Sequence, residues 1–215
     1  MIKAVIFDLD GVLVDTAHYH FLAWQRLASE LGIEFTEKEN EQLKGVSRMR
    51  SLEIILDMGN LQLSQEERNK LADKKNKWFV QYINQMKATE LFPGVHELIT
   101  SLRQNGLKVA LASSSKNADT VLTLLGIKEL FDVIVDGTMI VHTKPDPEIF
   151  LLAAKKLNIL PSQCLVFEDA EAGIQAALAA GMKSVGVGSP AQLGKANLVL
   201  SRVTDFDTST LKKKF

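Results

Sequence analysis

The sequence predicts an α/β fold: a parallel sheet flanked by helices and interrupted by an inserted helical domain. Three observations lead to it. Short continuous apolar runs recur along the 215-residue chain at positions 4–7, 107–112, 131–135, 164–167 and 184–187, as expected of strands buried on both faces. Amphipathic helical stretches lie between these runs, the alternation of a parallel sheet. The strand ends are also unevenly spaced. Ser113 to Lys144 is 31 residues and Lys144 to Asp169 is 25, both natural for a βαβ step of about 30 residues, but Asp8 to Ser113 is 105, which leaves roughly 70 residues for an insertion.

The first strand, Ala4-Val5-Ile6-Phe7, ends in the turn Asp8-Leu9-Asp10-Gly11. After it only helices are read as far as about Ala88. Their apolar faces are Phe21, Leu22, Trp24, Leu27, Ala28 and Leu31, then Leu52, Ile54, Ile55 and Leu56, then Leu71, Trp78, Phe79, Tyr82 and Ile83. Ser64-Gln65-Glu66-Glu67 reads as a capping box opening the last of these helices. The expected division is therefore 1–14 with 89–215 as the core and 15–88 as a helical domain. Two chain crossings, near Gly11 to Thr16 and near Thr89 to Pro93, permit a hinge. In the core, Leu98, Ile99 and Leu102 precede Gly106, the Val121 to Leu125 face stops at Gly126, and Ile174, Ala177 and Leu178 stop at Gly181, glycine after a helix marking its end. Pro145 and Pro147 suit the first turn of a helix carrying Ile149, Phe150, Ala153 and Ala154.

Composition narrows the function. With 46% hydrophobic and 24% charged residues the chain is globular. Twenty-five basic against 26 acidic residues, with no long basic run, argue against a nucleic-acid partner and for a small ligand. One cysteine, Cys164, an N-terminus interrupted by Lys3, Asp8 and Asp10, and no membrane-length apolar run lead to the expectation of a soluble, monomeric, cytoplasmic protein. Cys164 itself reads as an inert core residue.

In open α/β sheets ligands bind outside the carboxyl ends of the strands, so the polar residues there form one constellation. They are Asp8 and Asp10, Ser113-Ser114-Ser115-Lys116-Asn117, Lys144, and Glu168-Asp169. Four carboxylates together are costly unless a cation sits among them, and all-oxygen ligands favour magnesium. A divalent metal with Lys144 and serine hydroxyls makes a phosphate site. Asp8 is placed to attack phosphorus and Asp10 to handle the proton. The Ser113 to Asn117 stretch also reads as a helix cap, a role compatible with anion binding.

Phe7-Asp8-Leu9-Asp10-Gly11-Val12, a serine after the second strand, Lys144-Pro145 and Glu168-Asp169 resemble the four ordered motifs of the haloacid dehalogenase superfamily. That resemblance implies a Rossmann-like core with an inserted α-helical cap. The second aspartate, Asp10, is characteristic of its phosphatases and phosphomutases. A narrower resemblance, to the superfamily's sugar phosphomutases, lies in Asp15-Thr16, His20, Trp24, Lys44-Gly45-Val46-Ser47-Arg48, Ser51 and Lys75-Asn76 together with residues 113–117. It implies a magnesium-dependent interconversion of β-glucose 1-phosphate and glucose 6-phosphate through glucose 1,6-bisphosphate and an aspartyl phosphate on Asp8. Asp10 would be the general acid and base. Magnesium would be held by Asp8, the Asp10 carbonyl, Glu168 and Asp169, and the transferring phosphate by Ser113, Ser114 and Lys144. The non-transferring phosphate would meet Arg48, Ser115, Lys116 and Asn117. A mutase needs two phosphate subsites, and the planar guanidinium fork of arginine suits the second. His20 would link the first inserted helix to Lys75 and help position the sugar.

Other readings stand beside these. A phosphatase on the same scaffold would use Asp10 to activate water, and a non-catalytic phosphate sensor would have no need of a nucleophile. Lys144, Lys75 and Arg48 are of types usually solvated. His18, two residues from His20, cannot share its helix face and reads as surface. Gly186-Val187-Gly188-Ser189-Pro190-Ala191 fits a dinucleotide fingerprint, with Asp205 about 20 residues on. It follows what reads as the last strand, so a loop ending the sheet is the simpler expectation.

Overall fold

The computed structural model describes residues 1–43 and 46–214. The chain forms two compact units, Met1–Asp15 with Lys87–Phe215, and Thr16–Met86. The crossings thus fall at 15/16 and 86/87, the second slightly earlier than the sequence suggests. Met86 is buried, whereas residues 87–89 are exposed. Beyond them the chain is tied back to the larger unit, where Val14 bridges Leu91 and the Phe92 amide donates to the Leu13 carbonyl at 2.9 Å.

The larger unit is built on six parallel strands: β1 (Ala4–Phe7), β2 (Lys108–Ala112), β3 (Val133–Val135), β4 (Cys164–Glu168), β5 (Lys183–Val187) and β6 (Leu198–Leu200). Their order is β3-β2-β1-β4-β5-β6. The chain leaves β1 in one direction through β2 and β3, then returns to place β4 on the other side. The strand order therefore reverses between β1 and β4, the crevice where such sheets bind ligands. Every residue of β1 and β4 is buried, which is why they read as unbroken apolar runs.

The faces follow from the period of two. Ala4, Ile6, Ala110, Ala112, Cys164 and Val166 pack with Ile149, Phe150, Ala153 and Ala154 of the helix Glu148–Leu157, and with Ala176 and Ala177 of the helix Glu171–Ala179. Phe7 and Phe167 stack at 4.9 Å, and Phe206 meets Phe167 edge-on at 4.9 Å. Rings so enclosed contribute roughly 1.5–3 kcal/mol each. Cys164 is buried, its thiol pushed up to about 11 by burial, as suits an inert core residue.

Two details differ from the sequence reading. Pro147 is the N-cap and Pro145 lies outside the helix that begins at Glu148, so neither proline is in its first turn. β5 is not the last strand, because β6 follows it; three half-buried residues at a sheet edge leave too short a pattern to detect. Between them the helix Pro190–Leu193 has only four residues. A Cβ on Gly186 would stand 2.9 Å from the Leu193 Cβ, so this glycine serves close strand–helix packing.

The smaller unit contains the helices Ala17–Glu30, Glu37–Asn40, Arg48–Met58 and Gln65–Ile83. Trp24, Leu27, Ala28, Leu52, Ile55, Leu56, Trp78, Phe79 and Ile83 are buried. Phe21, Leu22, Leu31, Ile54, Leu71 and Tyr82 are half-buried at the margins of these faces, while the small residues Ala23 and Ala72 are buried. The capping box forms: the Glu67 amide donates to Ser64 Oγ at 3.3 Å, and the Ser64 amide to Glu67 Oε2 at 2.8 Å. Among the described residues no helix is long and apolar enough to cross a membrane.

Candidate active site

The reversal point brings together four of the charged residues singled out in the sequence. Asp8 follows β1, where its amide donates to the Phe167 carbonyl at 2.9 Å, and Glu168 is the last residue of the neighbouring β4. Lys144, in the segment after β3, reaches both. Its Nζ donates to Asp8 Oδ1 at 2.5 Å and to Glu168 Oε2 at 2.7 Å, and lies 3.4 Å from the Ala112 carbonyl. All three side chains are buried, and Lys144 also lies over the Phe150 ring at 5.0 Å. Asp169, the residue after Glu168, keeps part of its surface exposed. Carboxylate oxygens of Asp8, Glu168 and Asp169 lie within 4.8 Å of one another.

The electrostatics are unbalanced. Burial raises the Asp8 carboxyl and Glu168 pushes it further, against the opposing pull of Lys144. Asp169 is raised by burial and then by Asp8, Glu168 and Asp10. Burial works to lower the Lys144 ammonium, but Asp8 and Glu168 outweigh it and hold the group above its ordinary range. Two carboxylates 4.8 Å apart repel by about 3.5 kcal/mol at an effective dielectric of about 20. One ammonium cannot offset three carboxylates, so the donor set fits a further hard cation taking oxygen ligands. Asp8, Glu168 and Asp169 could hold it from their side chains.

Asp10 is half-buried, and its backbone bridges Val14. Gly11 makes this turn possible at φ +75°, a region that favours glycine; a Cβ there would fall 1.9 Å from Asp169 Oδ2. After β2, Ser113 is fully buried, with its amide on the Val135 carbonyl at 3.0 Å and its Oγ accepting from the Ser115 amide at 3.1 Å. Ser115 Oγ accepts from the Asn117 amide at 3.2 Å. Asn117 is the N-cap of the helix Ala118–Leu124, without a side-chain cap bond, and Ser114 and Lys116 are exposed. The serine-rich stretch is thus a helix entry whose hydroxyls order their own loop.

In the helical unit a second group assembles. His20 Nδ1 lies 2.7 Å from Lys75 Nζ, and the His20 ring stacks on Phe79 with centroids 4.0 Å apart. Lys75 is buried, 4.5 Å from the Trp24 ring and 4.9 Å from that of Phe79. The spacing explains it: His20 with Trp24 and Lys75 with Phe79 are i,i+4 pairs on two packed helices. Burial, then Lys75 and Arg48, hold the His20 imidazole well below its ordinary range, so it is neutral. An ammonium only donates, which leaves Nδ1 as acceptor and the proton on Nε2. Arg48 is half-buried and lowered by burial. Ser47 caps its helix, accepting from the Arg50 amide at 3.3 Å. Thr16, Trp24 and Ser51 are buried, Asn76 is half-buried and Val46 is exposed. Lys44 and Gly45 lie outside the described residues. His18 is exposed, as expected of a surface residue.

The sequence reading did not identify two aromatic partners of these groups, Phe79 under His20 and Phe150 under Lys144. Both had registered only as apolar face positions, and nothing in periodicity separates a core ring from one that carries a charged neighbour.

The family model of haloacid dehalogenase-like hydrolases matches residues 2–181. A β-phosphoglucomutase of Bacillus subtilis (strain 168) is 43% identical over 215 residues, covering 99% of this chain and 95% of that protein. A phosphorylated carbohydrates phosphatase of Thermotoga maritima is 34% identical, covering 85% of this chain and 83% of that protein. The crystal structure of a β-phosphoglucomutase from Clostridium difficile superposes with a TM-score of 0.94 at 45% identity, covering 100% of this chain and 97% of that one. The chain belongs to the haloacid dehalogenase-like hydrolase family.

Proposed function

We propose that the protein is a phosphomutase interconverting β-glucose 1-phosphate and glucose 6-phosphate, with glucose 1,6-bisphosphate as intermediate and activator. The observation that carries phosphoryl transfer is the buried Lys144 ammonium held between Asp8 and Glu168 at the strand-order reversal. Full-length similarity to a β-phosphoglucomutase supports the mutase over the hydrolase.

In the proposed chemistry an Asp8 oxygen forms a bond to phosphorus as the bond to the sugar oxygen breaks, and Asp10 gives its proton to that oxygen. In the second half Asp10 takes the proton of the attacking sugar hydroxyl as the phosphoryl group leaves Asp8. Lys144, Ser113 and Ser114 hold the transferring group. Ser115, Lys116, Asn117 and Arg48 take the other phosphate. Asp8, the Asp10 carbonyl, Glu168 and Asp169 would hold magnesium, which when bound would neutralise charge on the phosphoryl oxygens. Unaided phosphate monoesters react slower by as much as ~10²¹-fold, so charge and alignment are what the protein must supply. Thr16, His20, Trp24, Gly45, Val46, Ser47, Ser51, Lys75 and Asn76 are assigned to the sugar phosphate, His20 presenting Nε2–H as a donor. A monomeric cytoplasmic enzyme with no nucleic-acid or membrane partner is the accompanying reading, supported by the balanced charge and the single buried cysteine.

The test is product identity by phosphorus NMR with β-glucose 1-phosphate, magnesium and a trace of the bisphosphate. Glucose 6-phosphate is expected without free phosphate. Inorganic phosphate alone would favour the second reading, a sugar-phosphate phosphatase, for which the similarity to the Thermotoga phosphatase speaks.

A further inference from the structure

We propose that Gly173 is a positioning residue for Glu168, its missing side chain being the space in which the Glu168 carboxylate stands. The inference rests on the reading of Glu168 as a magnesium ligand and extends it to a residue with no polar group of its own. Gly173 is buried in the first turn of the helix Glu171–Ala179. Its backbone is helical and not left-handed, so conformation does not call for glycine, and glycine is disfavoured against alanine in a helix.

Sterics do call for it. A Cβ on Gly173 would lie 2.0 Å from Glu168 Cδ, 2.1 Å from Oε2 and 2.4 Å from Cγ. A long side chain normally escapes such a contact by rotating, but Glu168 is not free to rotate. It is 1% exposed. Its Oε2 holds Lys144 at 2.7 Å and its Oε1 accepts from the Ala170 amide at 3.2 Å. A methyl group at 173 would drive the carboxylate off both partners with no solvent to receive it. Oε2, the oxygen nearest the absent methyl but one atom, is the one that grips Lys144, so the displacement would reach Asp8 through that ammonium. At Gly11 the near contact with Asp169 coincides with a positive φ, and steric and backbone effects cannot be separated there. At Gly173 they can.

The experiment is Gly173→Ala in two backgrounds, wild type and Glu168→Ala, with the melting temperature measured in the presence of a chelator and magnesium affinity measured by calorimetry. In wild type the substitution is expected to lower the melting temperature and to weaken magnesium binding roughly 10–100-fold, the usual effect of disturbing a ligand's support. In the Glu168→Ala background the obstacle is gone and the same substitution is expected to raise the melting temperature, because only helix propensity remains. Shifts of the same sign in both backgrounds would overturn the proposal, as would unchanged magnesium affinity in Gly173→Ala. If Gly173→Ala alone does not fold, recovery of folding in the double variant supports the proposal and continued failure overturns it. Wild-type protein that binds no magnesium would sink the metal reading of Glu168, whereas the sign of the chelator measurement still decides the steric relation.

Discussion

Lys144 Nζ lies 2.5 Å from Asp8 Oδ1, although 136 residues separate the two in the chain. The same nitrogen is 2.7 Å from Glu168 Oε2, so a single ammonium joins the ends of β1 and β4 across the point where strand order reverses. Removing one member of a buried ionic group costs more than the group contributes, because the remaining charges stay buried.

Lys144→Ala is accordingly expected to destabilise the protein by about 3–5 kcal/mol and to remove turnover. Urea denaturation and a kinetic assay check this. A variant with wild-type stability would show that Asp8 and Glu168 do not depend on the ammonium.

Asp8→Ala leaves Lys144 paired with Glu168, so the fold should survive while turnover disappears; circular dichroism and an assay on the same sample separate the two. Normal activity would refute the nucleophile. Asp10→Asn is expected to lose proton transfer with phosphate binding largely kept, at a cost of about 10²–10⁴ in rate. Unchanged mutase rates would refute its role.

Arg48→Ala should harm mutase activity more than hydrolysis of a small phosphoryl donor, because only the mutase reaction needs a second phosphate subsite. Equal losses in the two assays would argue against that subsite.

His20 is held neutral in the fold by burial and by Lys75 and Arg48. Its folded pKa is below the unfolded value of about 6.5, so the unfolded chain binds more protons below that pH. The stability linked to His20 is fully present above about pH 6.5 and falls as the pH drops below it, by up to about 1.36 kcal/mol per pH unit. Long-range nitrogen NMR of the imidazole should find the Nε2–H tautomer still neutral below about pH 6.5, where a free imidazole is mostly charged. A charged ring there would contradict the His20–Lys75 geometry.

Much of the fold was legible because burial leaves a direct mark on composition. Ala4–Phe7 and the 164–167 run are covered on both faces and must be apolar throughout, and the 105-residue gap from Asp8 to Ser113 exceeds any single crossover. The capping box at Ser64 was legible for a different reason: it is made by residues three apart, and local bonds need no tertiary partner. β6 was not legible, since three half-buried edge residues carry almost no period. The glycine pattern at 186–188 is ambiguous by itself, because packing against Leu193 and a nucleotide turn ask for the same absent side chain; its place late in the chain was what argued against the nucleotide turn.

By itself the sequence determined which residue types stand at the strand ends, in what order, and hence the class of chemistry. Only tertiary structure decided which of them share a charge. Lys144 could have been a solvated lysine, and Lys75 likewise. Burial between Asp8 and Glu168 in one case, and against His20, Trp24 and Phe79 in the other, is settled by strand order and helix packing over separations of 136 and 55 residues. Electrostatic energy depends on distance and local polarity, and neither is a property of positions along a chain.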